Sequence, residues 1–228
     1  LFRTRRKVTV LLLGHNETSA SAGSQATHIN EQTPTPSTRG PSDHSVGDQV
    51  IEWAGRHFAH CGYEKTTVSD LAKAIGFSKA YIYKFFDSKQ AIGQVICSNR
   101  LAMIMQVVEA ATADAPSAAE RLRCLFRALC EAGSDLFFRD RKLYDIAAVA
   151  AREQWPSVLE HEARIRAIIQ QIVVDGRENG EFERKTPLDD VVSAICLVMR
   201  PYINAAQLQY NLDATAEATV QLPAMILR

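Results

Sequence analysis

The sequence predicts an all-α fold, a three-helix head carrying a helix-turn-helix followed by a larger helical body, and three observations predict it. From Ser45 onward apolar residues recur at helical spacing almost without interruption, and no segment shows the strict alternation of a half-buried strand. Residues 66–89, TTVSDLAKAIGFSKAYIYKFFDSK, read as two short helices about a tight turn with a third helix starting at once. The breaks between the remaining periodic segments are short and carry Gly, Pro, Asp and Asn.

Residues 1–43 are rich in Ser, Thr, Gly, Pro and Gln and lose apolar periodicity after Leu13, so a disordered extension is expected, because such a composition does not offset its ordering entropy. Its start imitates a secretory signal, with Arg3, Arg5, Arg6 and Lys7 before the apolar run Val8 to Leu13 and an Ala20-Ser21-Ala22 triplet. That run is shorter than a signal's apolar segment and far too short to span a bilayer. The sharper alternative for the four cations is a basic arm that adds nonspecific phosphate contacts.

The head is expected over residues 44–90. Val50, Ile51, Ala54, Phe58 and Cys61 fall on one face of a support helix that Gly62 and Tyr63 close. Thr67 caps the next helix with Asp70 three residues on, and Val68, Leu71, Ala72 and Ile75 form its buried face. Gly76 suits a left-handed position just past the helix end, and Ser78 caps the second helix of the motif. In a helix-turn-helix that second helix lies in the major groove, so Ser78, Lys79, Ala80, Tyr81, Tyr83 and Lys84 would face outward while Ile82 and Phe86 point in. Asp87 or Ser88 caps a longer helix to about Ala111, with Lys89 in its first turn, where free backbone donors and a lysine together suit a phosphate.

The body is expected over residues 91–228. Ala118 to Leu129 mark one helix and residues 141–153 another, and Pro156 starts a long helix that runs to the Gly-Arg-Glu-Asn-Gly turn at 176–180. Leu188, Val191, Val192, Ile195, Val198, Met199 and Tyr202 form a strong stripe, in which Pro201 is expected to kink or split the helix. A last helix covers about 214–227 with Pro223 inside it. The stripes at 188–208 and 214–227 are too apolar to leave in water, which points to a two-fold dimer with Val191 and Ile195 in the interface.

With 46% hydrophobic and 23% charged residues over 228, the chain is long and apolar enough to bury one large core or two small ones. Its 26 basic and 26 acidic residues balance, so any affinity for nucleic acid must come from a local patch. Cys61, Cys97, Cys124, Cys130 and Cys196 stand singly, with no CxxC pair, as in a reducing, cytoplasmic compartment. His57, His60 and Cys61 lie close together but are too few and too unpartnered for a metal site, and no cofactor is expected.

The linked run AlaxxxPhe at 54–58, Gly62-Tyr63, Thr66-Thr67-Val68, Leu71-Ala72, Gly76-Phe77-Ser78-Lys79, Tyr83-Lys84-Phe85-Phe86 and Ser88-Lys89 resembles the N-terminal domain of the tetracycline-repressor (TetR) family. The resemblance covers about residues 46–92, and beyond it a Gly180-Glu181-Phe182 follows the long helix. It implies a dimeric all-helical transcriptional regulator, most members being repressors, whose body binds a small molecule. Carried over by position, Thr67, Tyr83, Lys84 and Lys89 would grip phosphates, while Lys79, Ala80 and Tyr81 would face base edges of an operator. Ala80 stands where a glycine is common and Phe77 where a valine is common.

The large apolar side chains of the middle helices, Met103, Phe126, Leu129, Tyr144, Trp155, Ile169 and Met199, are the candidates for a largely apolar effector cavity, although ordinary core is the commoner role for such residues. No GxSxG, phosphate-binding glycine loop, HExxH or paired carboxylate appears, so nothing in the sequence suggests an enzyme. The rival reading is an architectural or division-linked DNA-binding protein on the same fold, without an effector.

Overall fold

A computed structural model describes residues 43–227. The extension expected over residues 1–43, with its basic arm and signal-like start, lies outside the described residues except for Asp43, which opens the first helix. Among the described residues every regular element is helical.

The head begins with α1 (Asp43–Cys61), which lays Val50, Ala54 and Phe58 against α2 (Val68–Ile75) and α3 (Lys79–Ile82). At the start of α2 the Asp70 N–H donates to Thr67 Oγ1 at 3.2 Å and the Thr67 N–H donates to Asp70 Oδ2 at 2.9 Å, which closes the capping box. Gly76 ends α2 at φ 81°, where a Cβ would crowd the following carbonyl, and its N–H returns to the last turn. Ser78 then caps α3 by accepting from the Tyr81 N–H at 3.1 Å.

Thr67→Ala is expected to lower unfolding stability by about 1 kcal/mol, the usual loss when a hydroxyl N-cap is removed. Urea denaturation at neutral pH measures it. Thr67 first, through its hydroxyl and then its N–H, holds the Asp70 carboxyl below its ordinary value of 3.8. A depressed carboxyl contributes stability that is present above 3.8 and lost as pH falls through the lowered folded value. The gap between variant and parent should therefore narrow at acid pH, where the hydroxyl's bond to the carboxylate is lost, while the part due to its bond from the Asp70 N–H remains.

α4 (Lys89–Ala113) starts at Ser88, whose Oγ accepts from the Ala91 N–H at 3.0 Å, and leaves the head for the body. It is long and apolar enough by length and composition to cross a membrane. It nonetheless packs against α5 (Ala118–Arg139), α6 (Arg141–Arg152) and α7 (Pro156–Glu178). α8 (Leu188–Ile203), the short α9 (Ala205–Leu208) and α10 (Thr215–Ile226) complete the body. The Gly180-Glu181-Phe182 turn ties it together. Glu181 accepts from the Ala118 and Ala119 N–H groups at 3.0 and 3.1 Å, so a carboxylate from beyond α7 satisfies the free donors at the start of α5.

Head and body share one core. Phe58, Tyr63, Leu71 and Ile82 pack in the same buried cluster as Ile92, Ile146, Val149 and Trp155, so packing is continuous across residue 90. Gly93 is a close approach within this shared core. A Cβ there would stand 2.9 Å from the Tyr63 ring of the head and 3.0 Å from the Trp155 ring of the body.

The C-terminal helices differ from expectation in two respects. Pro201 is accommodated inside α8, and the break comes at Asn204, whose extended backbone (φ −80°, ψ 123°) ends the helix and whose Oδ1 accepts from the Ala206 N–H at 3.0 Å to begin α9. The stripe at 188–208 is also not one exposed face. Ile195 is buried in this chain's own core, Val191 packs partly against that core, and Leu208 is buried beside Tyr144. The side chains left in water are Leu197 on α8 and Val220 and Met225 on α10.

Candidate nucleic-acid interface and effector cavity

The outer face of the head follows from the three caps. With Ile82 fully buried beneath α3, Ser78, Lys79, Ala80, Tyr83 and Lys84 are exposed and Tyr81 is half-buried. Tyr81 is held by its neighbours. Its ring meets Phe77 edge-on at 5.1 Å and Phe85 at 5.4 Å, and the Lys84 ammonium lies 5.5 Å from its centroid. The Lys79 ammonium stands 5.7 Å over the Tyr83 ring. Two cations and two tyrosines thus share one surface, and packed aromatics at spacing i, i+4, i+8 restrict where the Tyr81 hydroxyl can go.

Three of the residues singled out in the sequence are already engaged within the chain. Ser78 and Thr67 spend their oxygens on caps, although both remain exposed. Lys89 turns inward. Its Nζ donates to the Tyr63 and Glu64 carbonyls at 3.0 and 3.3 Å and lies 4.4 Å from the Tyr63 centroid. Carbonyls just past the end of α1 lack intrahelical donors, and a half-buried lysine satisfies them at a cation–π distance. The phosphate role expected of Lys89 therefore does not match where its ammonium sits.

Below the head the body holds a cavity of about 400 Å³, within the usual range of small-molecule sites, which opens to solvent where the exposed Leu159, Leu197 and Arg200 line it. Ile96 to Ile104 of α4 form one wall and Leu143 of α6 another, and α7, α8 and α9 supply Val158, Leu197 and Leu208. Of the seven side chains expected to line it, Leu129 and Tyr144 do. The Tyr144 hydroxyl is spent, donating to the Ala205 carbonyl at 2.6 Å and fixing α9 under the cavity. Phe126, Ile169 and Met199 are instead core side chains of the body, Trp155 is packed at the junction of head and body, and Met103 is exposed. A helical stripe gives the buried face of each helix but not which buried residues border a void.

The polar lining was missed at the sequence level. Arg100, Arg166, Arg200, His161 and Glu162 all border the cavity. Arg166 donates to Ser193 Oγ at 3.2 Å, and Glu162 accepts from Asn204 Nδ2 at 3.1 Å. His161 Nδ1 is buried without a partner among the described residues, and burial, then the Arg164 charge, push its pKa down to about 4, which keeps the ring neutral near pH 7. The available signal was a charge set inside the apolar run of α4, at Arg100 between Ile96 and Ile104.

Comparison with known proteins agrees with this geometry. Residues 50–94 match the family described as "Bacterial regulatory proteins, tetR family", and residues 118–222 match "Tetracyclin repressor-like, C-terminal domain". IcaR of Staphylococcus aureus, a biofilm operon HTH-type negative transcriptional regulator, is 42% identical over 45 residues, which make up 20% of this chain and only 24% of IcaR. A TetR/AcrR-family regulator from Thermobifida fusca superposes with a TM-score of 0.58 at 19% identity, over 81% of this chain and 97% of that one. FadR of Bacillus subtilis, solved in complex with stearoyl-CoA, gives 0.56 at 19% identity, over 79% and 95%. With head and body each matched and the fold shared, the chain belongs to the TetR family of DNA-binding transcriptional regulators.

Proposed function

We propose that the protein is a cytoplasmic repressor that binds a near-palindromic operator as a two-fold dimer and is released by a small molecule held in the body. The observation that carries this reading is α4, which is packed into the head at Ile92 and lines the cavity from Ile96 to Ile104. A ligand that favours a different tilt of α4 moves the reading helix with it. By reciprocity the operator lowers ligand affinity by the same factor that the ligand lowers operator affinity. A single helix-turn-helix reads only a few base pairs, so two heads at a spacing set by the body supply the specificity. The cavity favours this reading over an architectural protein without an effector, and no catalytic step forms part of it. Selection of bound DNA with the purified protein, followed by a metabolite screen for release, is the test. Loosely related sequences with no releasing compound would favour the architectural reading.

The head should divide its labour. Lys84→Ala is expected to weaken all DNA alike and to reduce the salt slope by about one unit, as for one lost phosphate contact. Tyr81→Ala and Lys79→Ala should instead relax preference at particular base pairs by roughly 1 to 3 kcal/mol. Lys89→Ala should leave the salt slope alone and lower thermal stability, because its ammonium closes the end of α1. Titrations of specific and scrambled duplexes at several salt concentrations separate the three. A full-unit change of slope in Lys89→Ala would return that lysine to the phosphates.

A further inference from the structure

The charges that border the cavity are not balanced. Three arginines, Arg100, Arg166 and Arg200, line it with a single carboxylate, Glu162, which already accepts from Asn204. Neighbouring arginines of the body are paired: Arg121 with Asp175 at 2.7 Å, Arg164 with Glu109, and Arg166 with Ser193 and, at 3.8 Å, with Asp189. Arg100 and Arg200 have no side-chain hydrogen bond or ion pair among the described residues. Arg100 is the more telling of the two, because it is half-buried on a wall whose other members are the apolar Ile96, Leu101 and Ile104 and the buried Cys97. Leaving a half-buried guanidinium without a partner is costly, and that cost is recovered when a ligand brings an anion. His161 offers one further unpartnered ring nitrogen on the facing helix α7.

Resting on the effector reading above, we propose that the effector is an amphipathic anion: an apolar body that fills the space between α4, α6 and α7, and a carboxylate or similar acidic group held by Arg100 with Arg200. A neutral apolar compound of the same size leaves the half-buried Arg100 guanidinium unpaired, whereas the exposed Arg200 is hydrated either way. A cationic one meets the excess positive charge.

Displacement of a neutral apolar dye, N-phenyl-1-naphthylamine, from the full chain tests this at probe concentrations below micelle formation. The competitors are dodecanoate, dodecanol and dodecyltrimethylammonium, which share a tail and differ in head charge. Dodecanoate should displace the dye at about tenfold lower concentration than dodecanol, the scale of one charge-assisted hydrogen bond, with the cation weakest. Arg100→Gln should cut that advantage to about threefold or less, read as the ratio of dodecanol to dodecanoate concentrations within the variant so that any change in dye affinity cancels. Dodecanol equal to or better than dodecanoate would overturn the inference and leave the cavity reading standing. So would an unchanged ratio in both Arg100→Gln and Arg200→Gln. Failure of the dye and all three competitors to bind the folded protein would overturn the cavity reading and this inference with it.

Discussion

Val220→Glu combined with Met225→Glu is expected to yield a folded monomer whose operator affinity falls by about a thousandfold or more, towards the level of nonspecific binding. Val220 is 70% exposed and Met225 59% exposed on α10, which packs beside α8, so the chain itself leaves an apolar surface in water there. Two carboxylates on that surface cost the monomer little, because each is solvated. Against a symmetry-related copy each would be buried without a partner, and an uncompensated buried charge costs several kcal/mol. Loss of the proposed dimer would remove the fixed spacing of two heads. Ile195→Glu is a different experiment, since Ile195 lies in the core of its own chain and its loss would unfold the body. Sedimentation and circular dichroism on the double variant give the answer, and an unchanged dimer would move the interface off these helices.

Trp155→Ala is expected to cost about 3 to 5 kcal/mol, as large-to-small changes of buried aromatics do. For a chain of this size that lowers the melting temperature by roughly 6 to 20 °C. Trp155 is 1% exposed, its indole N–H donates to Glu153 at 2.7 Å, and its ring meets Tyr63 of the head at 5.7 Å. The indole also fills the space beside Gly93 that no Cβ can share. Removing it opens a void where head, α4 and body meet, so the three elements lose a contact through which the proposed tilt of α4 would be transmitted. The variant should therefore also show weaker coupling between dye binding and DNA binding than its stability loss alone explains. A melting shift under about 2 °C would mean that the junction collapses without penalty.

Much of the head could be read directly from the sequence because its determinants are local. Thr67, Asp70, Gly76, Ser78 and Ser88 act within three or four residues of themselves, and the structure places each at the helix end its chemistry suits. The same holds for Pro156 at the start of α7 and for the outward set on α3, which is fixed once Ile82 is buried. Asn204 was harder, since Pro201 signalled a break nearby and only the packing of Leu208 beneath Tyr144 decided where it fell.

The sequence by itself thus determined the helices, their caps and the outward face of the helix-turn-helix. Only the tertiary structure decided which apolar residues face a void, a neighbour or water. α8 is apolar on more than one side, and periodicity cannot distinguish Ile195, which meets its own core, from Leu197, which meets solvent. Nor can it show that Lys89 turns back to carbonyls 25 and 26 residues away, or that Arg100, Arg166 and Arg200 from three different helices border one space. Caps and stripes depend on near neighbours along the chain, whereas a cavity and its charge depend on six helices packed at once.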